Sequence, residues 1–197
     1  MQPWLDIART SLLPALSASG ATAAFDIELW LLLKHFPFPV RYALYGEWRE
    51  STCNFRGRNS CPVASHAAAE STRETKKALS RVTASQSAPT GPAITDRGPA
   101  RALAKLSHTN PLALWTTAVT QVKAYPNIGQ FIVEAGRYMT QLSMDVATFT
   151  LVDTLSDDNI SRLNPTGTDV AQWLSSMFSG NTSRLVLTPY RSCEFRW

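Results

Sequence analysis

From residue 111 to residue 143, apolar residues recur every three or four positions, and prolines mark where the pattern restarts. That period fits one face of an α-helix and excludes a half-buried strand, in which apolar residues would alternate. In 111–124, Leu112, Trp115, Val119 and Val122 form one stripe. In 127–143 (NIGQFIVEAGRYMTQLS), Ile128, Phe131, Ile132, Ala135, Met139 and Leu142 share a face, with Gln130, Glu134, Arg137 and Gln141 opposite. Pro126 precedes this second helix and Asn127 is its expected N-cap. The same spacing predicts helices over 145–156 (Val146, Phe149, Val152) and over 169–178 (Val170, Trp173, Leu174, Met177), the latter capped by Thr168.

Upstream, 25–36 is apolar nearly all round, which predicts a helix buried on several sides. The prolines of FPFPV (36–40) end it, and 41–50 restarts with Tyr42, Tyr45 and Trp48. A more polar helix is expected over 66–83, acidic first and basic later, as the helix dipole favours. A short one follows over 95–107. Residues 51–64, 84–94 and 179–197 carry no period and read as irregular. The expected fold is all-α: about eight short helices with tight corners, in irregular stacked hairpins like those of an α-solenoid. No fixed sequence repeat is visible. The organisation expected is N-terminal helices in 1–50, an irregular insert in 51–65, a helical core in 66–178 and an irregular tail in 179–197.

Charge sorts the same segments. Residues 51–105 hold nine Lys or Arg against three acids, whereas 144–169 hold five Asp against Arg162. The basic residues of the expected helices (Arg73, Lys76, Lys77, Arg81, Arg97, Arg101 and Lys105) are candidates for contact with an acidic partner or RNA; a solvated helical face is the plainer alternative. In FPFPVRYALYGEWRE (36–50), Phe36, Phe38, Tyr42, Tyr45 and Trp48 suit helix packing better than base stacking. Arg41 and Arg49 are expected to bridge to carboxylates such as Glu47.

Signs of chemistry are sparse. Cys53, Cys61 and His66 have spacings of eight and five and no CxxC, a poor zinc pattern. Phosphate-loop, dinucleotide, HExxH and GxSxG motifs are absent. Asp157 and Asp158 are adjacent, and neighbours on a helix do not face each other. No catalytic, cofactor or metal residues are predicted. Three widely spaced cysteines favour a reducing compartment. The start lacks a secretory pattern, and the apolar run ending at Leu33 is far short of the roughly 20 residues of a membrane span. A soluble, intracellular chain is expected.

The segment KLSHTNP (105–111) places a histidine among polar neighbours, which invites a reactive reading. It is also complete as a helix–helix corner. Ser107 and His108 finish one helix, where a histidine favours the last carbonyls. Asn110 and Pro111 open the next, as N-cap and first residue.

Three stretches resemble the THO complex subunit 2 family of large scaffold proteins. They are FPFPVRYALYGEW (36–48), AESTRETKKALSRVT (69–83) and 101–155, the last through KLSHTNP and the run from Tyr125 to Val146; WLSSMF (173–178) fits its end. Residues 51–64 and the tail after Ser179 depart from the pattern. Family members are far longer, so this chain is expected to be a truncated form. The resemblance implies a nuclear, non-enzymatic scaffold acting in mRNA processing and export. Its implied partners are other THO subunits, a DEAD-box RNA helicase and export adaptors, with RNA reached indirectly and no membrane. The alternative is a basic helical module that binds RNA directly through 73–105.

Overall fold

The computed structural model describes residues 2–18, 23–53, 62–86, 97–157 and 169–178. Its elements are helices: α1 (Gln2–Ile7), α2 (Leu13–Ala18), α3 (Ala23–Leu33), α4 (Phe38–Cys53), α5 (Pro62–Gln86), α6 (Arg97–Thr109), α7 (Pro111–Ala124), α8 (Gly129–Ala135), α9 (Gln141–Ser156) and α10 (Gln172–Phe178). A π-helical stretch, Ala8–Leu12, joins α1 to α2. Pro14 lacks an N–H and its ring crowds the carbonyl four residues back, so a widened turn just upstream relieves the conflict.

At the centre lies α7, flanked by α5, α6, α9 and α10. Its expected stripe of Leu112, Trp115, Val119 and Val122 is buried, and Leu114 and Ala118 join it. A helix packed on several sides buries more than one stripe. Trp115 is fully enclosed, and its indole N–H donates to Ser143 Oγ of α9 at 3.0 Å. Sequential helices α4–α5, α5–α6 and α6–α7 pack on one another, while α2 and α3 close over the bundle onto α5 and α9.

Several boundaries differ from the sequence reading. The helix expected over 127–143 is broken. Pro126–Ile128 and Gly136–Tyr138 are 3₁₀ turns, and Met139 and Thr140 are extended. Thr140, instead of Asn127, is the residue whose side chain caps a helix: its hydroxyl accepts from Ser143 N at 3.4 Å and starts α9. A hydroxyl that satisfies a free N–H competes well with one more helical turn. The apolar face survives the break, with Ile128, Phe131, Ile132, Ala135 and Leu142 buried.

The segment read as irregular over 51–64 begins inside α4, which runs to Cys53, and ends inside α5, which starts at Pro62. Residues 54–61 lie outside the described residues, as do 87–96, Thr168 and 179–197. Helix α6 ends at Thr109 and α10 starts at Gln172, two and three residues later than expected at those ends. Val152 and Val170, placed on buried stripes by spacing alone, are about half exposed at 47% and 51%. So are Ile27, Leu31 and Leu32 of α3, which buries only the Asp26, Leu29 and Leu33 face against its neighbours. An all-apolar helix does not reveal how many sides are covered.

Candidate functional site

At the KLSHTNP corner α6 and α7 meet α2, α3 and the head of α9. Ser107 is buried and its hydroxyl donates to Ala104 O at 2.7 Å. Asn110 precedes α7, but its side chain makes no capping bond. It donates instead to Ser17 O of α2 at 3.3 Å, while Ser17 Oγ accepts from the Trp48 indole of α4. His108 Nδ1 lies 3.5 Å from Asp26 Oδ2 of α3. Asp26 is fully enclosed, and the Thr140 hydroxyl at the head of α9 donates to the same oxygen.

Burial pushes the Asp26 carboxyl above its ordinary value, outweighing the opposing pull of Thr140 and His108. Asp26 Oδ1 and His108 Nδ1 find no hydrogen bond among the described residues. A catalytic relay needs a nucleophile on a histidine that the carboxylate orients. Here the hydroxyl bonds to the carboxylate, so the group links α3, α6 and α9.

A second buried cluster was not legible as such. Arg41 does not reach Glu47, which pairs with Arg9. It forms a two-pronged pair with Asp145 of α9, Nε to Oδ2 at 2.9 Å and Nη2 to Oδ1 at 3.0 Å. The fully buried Tyr45 hydroxyl donates to Asp145 Oδ2 at 2.8 Å, and burial together with that carboxylate raises the phenol well above its ordinary pKa. Two turns along, Arg49 pairs with Asp153, and its guanidinium sits 5.6 Å over the Phe149 ring. The aromatic segment thus packs as expected, except Phe38, which is half exposed.

Five of the seven predicted basic residues line two grooves, and Arg101 lines neither. Arg73, Lys77 and Arg81 of α5 and Lys105 of α6 line one groove of about 630 Å³ with Glu74, Ala78, Ala102, Leu106 and Thr109. Lys76 faces another, of about 450 Å³, between α5 and α7. The Arg101 guanidinium lies 5.9 Å over the Tyr138 ring, and Arg97 opens α6. Arg73 bonds to Glu70 at 2.5 Å, a pairing exposed to solvent. Among the described residues no three His, Cys, Asp or Glu side chains stand together as a metal site, and no helix is long and apolar enough to cross a membrane. Cys61 lies outside the described residues.

Comparison with known proteins assigns this arrangement. A family described as the THO complex subunit 2 N-terminus matches residues 1–91, and one described as transcription- and export-related complex subunit matches 103–178. The chain belongs to the THO complex subunit 2 family. Human THO complex subunit 2 is 31% identical over 175 residues, covering 89% of this chain and 10% of the relative. The Arabidopsis thaliana protein is 29% identical over 170 residues, 86% of this chain and 8% of its own length. The Saccharomyces cerevisiae protein is 27% identical over 176 residues, 88% and 10% respectively. The chain therefore spans about a tenth of the curated relatives it matches. The irregular-looking 51–64 falls within the THO subunit 2 match, whereas 179–197 falls outside both.

Proposed function

We propose that this chain is a segment of a non-enzymatic scaffold in the THO/TREX assembly, acting in transcription-coupled mRNA processing and nuclear mRNA export. Membership of the THO complex subunit 2 family along both matched spans carries this reading. The geometry supports it, because the polar clusters at Asp26 and Asp145 join helices to one another. In this reading the helices within 1–53 and those within 62–178 belong to one scaffold segment, interrupted in sequence at 54–61 and followed by the tail 179–197. Its direct partners are other THO subunits; the DEAD-box helicase, the export adaptors and RNA are reached through the assembly, in the nucleus.

The test is affinity purification of the tagged chain from nuclear extract, with the bound proteins identified by mass spectrometry. Recovery of THO subunits above an untagged control is expected. Recovery of none of them overturns the assignment.

A further inference from the structure

On the α5–α6 face, charge, spacing and lining converge on one kind of ligand. Arg73, Lys77 and Arg81 are exposed and stand four residues apart, so they form a single row that climbs about 6 Å per step. Lys105 faces that row from α6; among the described residues Glu74 lines the groove and Glu70, at its edge, already pairs with Arg73, which leaves three cations beside one acid. Lys77, Arg81 and Lys105 enter no ion pair among the described residues. The rest of the lining is mostly apolar, made by Ala78, Ala102 and Leu106 with Thr109.

We propose that this groove docks an acidic amphipathic helix of a partner protein. Carboxylates four residues apart on such a helix repeat at the same rise as the α5 row, so each can meet a cation without either helix bending. Short apolar side chains beside those acids would cover Ala78, Ala102 and Leu106, which a bare phosphate backbone would leave in water. Single-stranded RNA binding without sequence preference relies on aromatic faces for the bases, and among the described residues no aromatic side chain lines this groove. The proposal builds on the scaffold reading by naming one surface and the chemistry of its partner.

Three labelled probes test it against the full 197-residue chain by fluorescence anisotropy. One is a synthetic helical peptide with glutamate at every fourth position beside an alanine and leucine face. The second is a scrambled peptide of the same composition, and the third is oligouridylate RNA. The amphipathic peptide is expected to bind about tenfold or more tightly than the scramble. The variant Lys77→Glu/Arg81→Glu/Lys105→Glu is expected to lose about tenfold, and Lys76→Glu, on the other groove, to stay within about twofold. If the triple variant melts below wild type, Arg81→Glu and Lys105→Glu are tested singly, each expected to lose about two- to threefold.

Equal binding of the two peptides, no binding of either, unchanged binding by the charge-reversed variants, or preferential binding of oligouridylate each overturns the proposal. Recovery of THO subunits, measured in parallel, keeps the two readings apart. A chain that recovers them but ignores the amphipathic peptide retains the scaffold role and loses the groove. A chain that binds the peptide selectively but recovers no THO subunit does the reverse.

Discussion

Asp145 holds three donors with two oxygens: two guanidinium nitrogens of Arg41 and the Tyr45 hydroxyl. With its side chain 2% exposed and that of Arg41 11%, removing the carboxylate strands a cation away from water. Asp145→Ala is expected to cost about 3–5 kcal/mol in urea unfolding, and Tyr45→Phe, which removes one neutral donor, about 1 kcal/mol. Equal costs would contradict this division. Asp26 behaves oppositely, because burial favours its neutral form. Its carboxyl binds a proton more tightly in the folded chain than in the unfolded one. The stability this supplies is full below about pH 4 and is lost as pH rises through the raised folded value. Asp26→Asn keeps the shape without the charge and should flatten the fall in melting temperature from pH 4 upward; parallel curves for the two proteins would refute the assignment. Gly129 is set by space: a Cβ there would lie 2.7 Å from Ser176 Oγ and 3.2 Å from the Ser176 backbone carbon. Gly129→Ala should therefore cost about 1–3 kcal/mol by pushing α10 outward. At Gly136 the nearest atoms are the end of Met144, 3.8 Å away, so Gly136→Ala should be near neutral in the same denaturation measurement.

At the scale of elements, Arg41 and Arg49 are eight residues apart on α4, and their partners Asp145 and Asp153 are eight apart on α9. Both pairs span 104 positions, so the two helices run in the same direction with one register. The outer pair is about 40% exposed, and reversing it as Arg49→Asp/Asp153→Arg should recover part of the loss caused by either single change. A double-mutant cycle should give about 0.2–1 kcal/mol of coupling, and none would mean the pair is incidental. Much of this architecture was legible from the chain. The stripe of α7, the corner before Pro111 and the packing role of Tyr45 and Trp48 follow from period and breakers, which are local signals. The acidic run of 144–169 was visible as charge, but its pairing with Arg41 and Arg49 was not, since periodicity says nothing about which helices become neighbours. The matched eight-residue spacing was the available clue. For the same reason the basic residues could be named but not sorted: whether Lys76 shares a groove with Lys77 depends on where α6 and α7 lie. Exposure of Ile27, Leu31 and Leu32 was hidden because a helix apolar all round gives no direction to its burial.

Across the whole molecule, the α2–Asn110, α3–His108 and α4–Asp145 contacts bind the first 53 residues to helices far along the chain. The hairpins α5–α6 and α6–α7 need only local search, whereas α4 and α9 must find each other across about a hundred residues. Closing such a loop costs about 4 kcal/mol of chain entropy before any contact repays it. The hairpins should therefore form first and the α4–α9 seam last. In stopped-flow refolding, Asp145→Ala is expected to leave the folding rate nearly unchanged and to speed unfolding; a folding rate slowed by the full stability loss would reverse that order. The two arginine–aspartate pairs then act as a late clasp. They hold shut a loop whose contents, α5 to α8, have already found their places, and they set how long the assembled chain stays closed rather than how fast it assembles.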